Sequence, residues 1–172
     1  MRRSSYRITW SAAAVIGALL LMPRAHAEQS DPTALAAAVA KVQTTLEQGL
    51  QASEKNGKAI SAKFEIENGK LQLSVYTMTA DGYSEVVVAP DSGSILKAEK
   101  ITDAEDIEHA TAQKAAMEKA SVSLIAATEH ALRENIGARA ISIFPELKGG
   151  QPVASVMLLR NGQLSTVTEK LN

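Results

Sequence analysis

The sequence predicts an α+β fold with two repeats of a helix packed on an antiparallel β-meander, linked by an alanine-rich helix. A short segment occurs twice, as Ala-Ile-Ser-Ala-Lys-Phe-Glu at 59–65 and as Ala-Ile-Ser-Ile-Phe-Pro-Glu at 140–146. Each copy follows a helical pattern that ends in a glycine, Gly57 or Gly137. Each copy also precedes a glycine turn, an apolar alternating stretch and a second glycine turn. This ordered series, more than the short match, indicates a duplicated unit.

The N-terminal segment 1–27 has the pattern of an export signal. It begins with arginines and no acids, continues with an uncharged apolar run at 12–22, and ends in a small-x-small cleavage site at 25–27. The run is shorter than the ~20 residues that cross a bilayer, although an uncleaved membrane anchor stays an alternative. Arg2-Arg3 leaves the general secretory and twin-arginine routes open. We expect a periplasmic or secreted protein with no membrane span after cleavage, divided into the signal (1–27), a first unit (28–101), a connecting helix (102–122) and a second, truncated unit (123–172).

Charge and composition argue against several classes of function. Four of the 18 basic residues and none of the 19 acidic residues lie in 1–27, which leaves a net charge of −5 on the remainder. This charge disfavours binding to nucleic acid or anionic lipid, since both attract cationic surfaces. The chain has no cysteine, and its single tryptophan lies in the signal. We therefore expect no thiolate catalysis, no cysteine metal site and no aromatic stacking platform.

The first unit begins with a predicted helix. Ser30-Asp31-Pro32 is a typical helix start and Asn56-Gly57 a typical stop. One apolar stripe between them predicts a continuous helix with Leu35, Val39, Val42, Leu46 and Leu50 on one face. The period then drops to two, which predicts a strand with Ile60, Ala62, Phe64 and Ile66 in the core and Ser61, Lys63, Glu65 and Glu67 in water. Turns at 68–69, 81–82 and 90–93 complete a four-stranded meander.

The connecting segment and the second unit follow similar rules. Thr102 and Glu105 fit a capping box that begins an alanine-rich, mostly solvated helix over 103–120. Ser123 is a candidate cap for a further helix, so 103–136 is either one helix or two. Strands are predicted at 139–147, 151–160 and 163–171, after which the chain has no counterpart of the fourth strand. Pro145 predicts that the first of these strands is an edge or carries a bulge, because proline cannot donate to a ladder.

No pattern in the chain is typical of catalysis. The motifs of zinc peptidases, serine hydrolases and phosphate loops are absent from the sequence. Glu105 and His109 lie four apart on a helix, but their charged surroundings favour a solvated face over a metal site. Glu65 and Glu67 are better explained as charges on a solvated sheet face than as paired catalytic carboxylates. We therefore expect a non-enzyme without catalytic residues, cofactor or metal.

Two regions are candidate partner contacts. Tyr76 and Met78, with Tyr83 across the hairpin, form an apolar patch that is either exposed or covered by the second unit or the 103–120 helix. The last strand, 163–171, has no successor to pair with it. Its Leu164, Thr166 and Thr168 would then lie on an open edge that an extended segment of another protein can join.

The segment Val-Ala-Pro-Asp-Ser-Gly-Ser-Ile at 88–95 resembles the PepSY domain family, whose domains commonly end in a Val-Asp-Ala-x-Thr-Gly-x-Val pattern. Ala89 stands where the family has aspartate, and Ser92 where it has threonine. The resemblance covers about 44–101 and, more weakly, 123–171. It implies an exported domain without catalytic motif and a partner among exported peptidases, which such domains are proposed to restrain. The alternative is a small-ligand or metal-binding carrier that uses the sheet face as a pocket. The oligomeric state stays open.

Overall fold

The computed structural model describes residues 31–172, so the predicted export signal lies outside the described residues. Within 31–172 the chain forms helices and one seven-stranded antiparallel sheet, and the predicted α+β class is confirmed. The helices are α1 (Pro32–Val39), α2 (Leu46–Ser53), α3 (Ala104–Lys119) and α4 (Leu124–Glu134). The strands are β1 (Lys58–Glu67), β2 (Lys70–Thr79), β3 (Gly82–Val88), β4 (Ile95–Lys100), β5 (Arg139–Lys148), β6 (Gln151–Arg160) and β7 (Gln163–Lys170). Their order in the sheet is β4-β3-β2-β1-β5-β6-β7.

The two meanders join through β1 and β5, which pair antiparallel with Ala62 opposite Ile143. They also share their register. Ala62 lies opposite Val75 and Val75 opposite Val86, and at an offset of 81 positions Ile143 lies opposite Val156 and Val156 opposite Val167. Both first strands have a register shift at the same place, between Ala59 and Ser61 and between Ala140 and Ser142. That the two halves arose by duplication stays a prediction.

The sheet is covered on both faces. Helices α1, α2 and α4 lie on one face, where apolar side chains of the central strands are fully buried. Helix α3 crosses the other face and contacts β1, β2, β5 and β6. The core of the first face includes Val39, Leu46, Leu50, Ile60, Ala62, Phe64, Leu73, Val75, Ile143, Val156 and Leu158. In the part of the chain that is described, no helix is long and apolar enough to cross a membrane.

The single N-terminal helix predicted from the apolar stripe is wrong. The chain leaves the helical path at 40–45 and starts again at Thr45, whose hydroxyl accepts from the backbone N–H of Gln48 at 3.2 Å in a capping box. The backbone N–H of Thr44 donates to the carbonyl of Pro90 at 3.1 Å. Arg139 donates to the carbonyls of Val42 and Thr44. These long-range contacts outweigh the local preference for helix, although much of the stripe is still buried.

Residues 103–136 form two helices, α3 and α4, and not one. Asp103, not Thr102, caps α3, because its carboxylate accepts from the backbone N–H of Glu105 at 2.9 Å. Ser123 caps α4 as predicted, accepting from the N–H of Ala126 at 3.1 Å. Helix α3 is also more than a solvated connection, since Ala110, Ala116 and Met117 are buried against the sheet. Small alanine side chains let this helix approach the strands closely.

The proline in the second unit does not mark an edge. β5 lies inside the sheet, between β1 and β6. The β1–β5 ladder pairs only Ile143 and Ser142 of β5 and therefore ends before Pro145. The bulge that β5 does carry lies ahead of the proline, after Ala140. Pro145 is tolerated because the neighbouring ladder has already stopped.

Candidate functional site

The edge strand β7 is the first candidate for binding. It pairs with β6, and no described residue pairs with its other side. The opposite edge, β4, is short and bears Lys97, Glu99 and Lys100, and its partner β3 has a register shift between Val87 and Val88. Short, charged and irregular edges resist the addition of a further strand. From Gln163 to Thr168, β7 has none of these features.

The far end of β7 is held firmly by the rest of the protein. Leu171 follows the strand and is completely buried. Its carbonyl accepts from the backbone N–H of Ser121 at 2.7 Å and of Val122 at 3.0 Å, and its N–H donates to the carbonyl of Pro152 at 3.0 Å. The C-terminal end of β7 is therefore anchored to the connection between α3 and α4. Because β7 is already ordered, it would lose little conformational entropy on binding a partner.

A groove of about 530 Å³ runs between α4 and the end of β7. Its floor and walls are Val122, Ala126, Ala127, His130 and Arg133 on one side and Thr168, Glu169 and Lys170 on the other. His130 Nδ1 lies 2.7 Å from a carboxylate oxygen of Glu169, so helix and edge strand are linked across the groove. Arg133 is exposed and only loosely paired with Glu129, at 3.9 Å. Helix α4 thus backs the edge with small side chains, an imidazole and the guanidinium of Arg133.

The second candidate is a cleft of about 350 Å³ between α3 and the sheet. Its lining residues are Lys63, Tyr76, Asp106, His109, Ala110, Gln113 and Phe144. Ser61 lies beside it, completely buried, and donates to Gln113 Oε1 at 2.7 Å. The predicted water-facing side of β1 is therefore wrong for Ser61, and it is partly wrong for Lys63 and Glu65, which are half-buried. The cause is α3, which covers this face.

The lysine that lines the cleft is paired. The Lys63 ammonium lies 2.6 Å from the Glu65 carboxylate and 5.7 Å from the centre of the Tyr76 ring. Burial works to lower the pKa of Lys63 and to raise that of Glu65. Burial is the largest single influence on each group, but the hydrogen bond and charge attraction between the two side chains, together with smaller contributions from their neighbours, outweigh it. The pKa of Lys63 is therefore raised and that of Glu65 is lowered. Burial, the largest influence on Tyr76, raises the pKa of its phenol to about 12.

A hydrogen-bonded network continues from Glu65 across the strands. The hydroxyl of Ser74, completely buried, lies 2.7 Å from the carboxylates of both Glu65 and Glu85. A hydroxyl has one proton to donate, so it can serve only one carboxylate at a time. Gln72 adds a donor, with its amide nitrogen 3.2 Å from Glu65 and 3.0 Å from Ser74. This network positions Glu65 against Lys63.

The residues predicted as partner contacts fall into two separate regions. Tyr76, Met78 and Tyr83 adjoin one another, are half-buried, and lie on the α3 side of the sheet, where the Tyr83 hydroxyl donates to Thr111 at 3.1 Å. The sequence left open whether this patch is exposed or covered. In the structure it is partly covered, and the cover comes from α3, which lies within the predicted 103–120 helix. The other region is on β7, where the side chains of Leu164, Thr166 and Thr168 also lie on the α3 face of the sheet. Thr166 and Thr168 are exposed. Strands β1, β5 and β6 lie between the two regions, so they do not form one surface.

Sequence reasoning missed the groove residues His130, Arg133 and Glu169 as a set. The histidine and the glutamate that meet there are 39 positions apart, and no local pattern connects them. The helix pair considered as a metal site, Glu105 and His109, is exposed, and His109 Nε2 lies 3.9 Å from Glu105 Oε1. Across residues 31–172 no group of three or more histidine, aspartate or glutamate side chains is placed to hold a metal ion.

Comparison with known proteins adds little to this picture. No family model matches the sequence, and no curated protein matches it either. Among solved structures, the chain is similar to a protein of Clostridium difficile 630 described as a "putative lipoprotein". The two are 15% identical, with a TM-score of 0.33, over 68% of this chain and 86% of that one.

Proposed function

We propose that this protein is a non-enzymatic binding module of the periplasm or the cell exterior, which takes an extended segment of another exported protein as an added strand on β7. The observation that supports it most is the contrast between the two edges of the sheet. The outer edge, β4, has charges and a short length that hinder strand addition, whereas β7 is uncharged from Gln163 to Thr168.

Strand addition suits the way this edge is built. An added segment gains main-chain hydrogen bonds along the strand, while pockets for alternate side chains provide specificity. β7 is already ordered by β6, by α4 and by the buried Leu171. Because the edge is preformed, the entropic cost of binding falls mainly on the incoming segment.

The partner class we propose is an exported peptidase. It follows from the resemblance of 88–95 to the PepSY family, in which a role in restraining peptidases has been proposed. A peptidase segment held as a strand on β7 is kept from other conformations. Restraint therefore needs no reactive group on this chain.

The experiment first isolates the partner and then tests the edge. Full-length protein serves as bait in envelope extract, the captured protein is identified, purified and titrated, and Ser165→Pro and Thr166→Pro are compared with wild type. Neighbouring residues in a strand point their N–H groups in opposite directions. One proline therefore removes an outward N–H, and the other breaks a bond to β6 and lowers the unfolding temperature.

The stable proline variant is the informative one, and it should lose binding by roughly tenfold or more. Lys97→Pro and Ala98→Pro on β4 are the matched controls and should bind like wild type. Deletion of 163–171 is a poorer test, since it removes the buried Leu171 and its bonds to the α3–α4 connection. Undiminished binding by the stable β7 variant would disprove strand addition at this edge.

A small-ligand carrier is the second candidate, and the cleft under α3 favours it. Lys63 and Asp106 supply charge there, His109 supplies an imidazole, and Tyr76 and Phe144 supply aromatic surface. A carrier would show a saturable rise in unfolding temperature with zinc, calcium or a small metabolite. The rise should disappear in a Lys63→Met variant, and a screen without any saturable shift counts against this function.

A further inference from the structure

We propose that the groove between α4 and β7 is a side-chain pocket that selects an acidic residue, aspartate or glutamate, in the strand added to β7. This inference rests on the proposed function, because the pocket is used only if a strand adds at that edge. The recognising group is the guanidinium of Arg133.

The position of the groove follows from the sheet. A strand added to β7 lies about 4.8 Å from it, and its alternate side chains point to opposite faces. One set points to the face that α4 covers. The flank of α4 turned toward this edge carries Ala126, His130 and Arg133, all exposed. Those added side chains therefore meet the α4 flank.

The groove has room for a side chain of moderate size. Its volume is about 530 Å³, and Val122, Ala126 and Ala127 contribute only short side chains to it. An aspartate or glutamate entering from β7 can lay its methylenes on the alanines and extend its carboxylate toward Arg133.

The charges around the groove favour an anion. Among the described residues, Glu169 is the one acidic residue that lines the groove, and its carboxylate lies 2.7 Å from His130 Nδ1. Arg133 has only a weak contact with Glu129 at 3.9 Å, so its guanidinium is available to a ligand. The chain from residue 28 onward has a net charge of −5, so this cationic groove runs against the general charge of the protein.

The test uses synthetic strands of alternating threonine and valine as probes. One threonine is replaced by glutamate, glutamine or lysine, and a second set moves the replacement by one position so that it faces the other side of the sheet. A preference is expected only in the set whose replaced residue faces α4. In that set the glutamate peptide should bind roughly threefold tighter than the glutamine peptide and roughly tenfold tighter than the lysine peptide at low salt. These differences should vanish near 1 M salt, where the Debye length is about 3 Å.

Charge reversal provides the second arm. Arg133→Glu should invert the preference so that the lysine peptide binds best, an effect that a purely structural role cannot produce. Arg160→Glu is the matched control, because Arg160 is exposed, lies at the other end of the edge, and gives the same change in net charge. It should keep the glutamate preference. Thermal unfolding confirms that both variants are folded.

The outcomes separate the pocket from the edge. Equal binding of all three peptides to wild type overturns the pocket and leaves strand addition standing. Failure of every peptide to bind overturns strand addition and the pocket with it. If the folded Arg133→Glu variant binds none of the peptides, whatever their charge, the pocket is also overturned. If the peptides compete instead with self-association of the protein, the natural occupant is a second copy and the proposal of an acidic foreign segment is wrong.

Discussion

Replacing Arg139 by methionine should destabilise the protein by about 2 kcal/mol, because this arginine ties the break between α1 and α2 to the sheet. Its guanidinium donates to the carbonyl of Val42 at 2.8 Å and to that of Thr44. It also lies 5.8 Å from the centre of the Phe64 ring.

The magnitude comes from opposing effects. A hydrogen bond to a charged group is worth about 1.5–3 kcal/mol, and a cation over an aromatic ring about 0.5–1 kcal/mol at exposed sites. Burial of the guanidinium counts against them, as the lowered pKa of Arg139 and its buried, unpaired Nε both indicate. The freed carbonyl of Val42 can also regain water, since Val42 is only half-buried. We therefore expect about 2 kcal/mol in place of the full sum.

Urea unfolding measures this loss directly. Arg139→Met should lower the midpoint at an unchanged slope, as a change in stability without a change in exposed surface requires. Arg139→Lys should lie between wild type and methionine, because an ammonium cannot present the fork that spans two carbonyls. Arg160→Met, at an exposed position, should stay within about 0.5 kcal/mol of wild type. A loss below about 0.5 kcal/mol for Arg139→Met would refute the idea that Arg139 holds this break.

Three further predictions concern the core and the cleft. Gly49→Ala should destabilise by about 1–3 kcal/mol in urea unfolding despite its better helix propensity, because its Cβ would lie 2.2 Å from Leu73 Cδ2; a stabilised variant would contradict this. The lowered pKa of Glu65 predicts a contribution to stability that is present above its unfolded pKa near 4.5 and is lost as pH falls through the folded pKa. Glu65→Gln should therefore flatten the acid side of a plot of unfolding temperature against pH. An unchanged plot would count against the ion pair with Lys63. The pKa of about 12 for Tyr76 predicts that stability falls as pH rises from 10 to 12. It also predicts that the tyrosinate absorbance present in wild type and absent from Tyr76→Phe titrates near 12. A midpoint near 10 would show that the phenol is not buried as described.

Local patterns predicted the elements well where local chemistry decides them. Asn68-Gly69 and Asn161-Gly162 adopt positive φ angles at both residues, as tight hairpin turns between antiparallel strands require. Alternation of apolar side chains likewise located most of the strands. The pairing of β1 with β5 was not predictable, because a period of two identifies a strand without identifying its neighbour.

Long-range contacts account for most of the errors. The helix break at 40–45 depends on Arg139, almost a hundred residues away, and the buried Ser61 depends on Gln113 of α3. Helix α3 has few large apolar residues, so its sequence is typical of a solvated helix although it covers a sheet face. At the candidate site, the strand pattern of 163–171 predicted β7, which has no second neighbour among the strands of residues 31–172. The groove beside it could not be predicted, since it forms only when α4 packs against β7.

The first meander shows how a strand would sit on the second. β3 and β7 occupy equivalent places, since Val86 lies opposite Val75 as Val167 lies opposite Val156. β3 has a further antiparallel strand on its outer side, β4, which pairs over Ile95–Lys100. A segment added to β7 in the same way would run antiparallel to it over about six residues. A spin label near Gln163 should then broaden the NMR signals at the C-terminal end of a bound, isotope-labelled peptide more than those at its N-terminal end. Stronger broadening at the N-terminal end would show parallel addition, and the comparison between the two meanders would then fail as a guide to the complex.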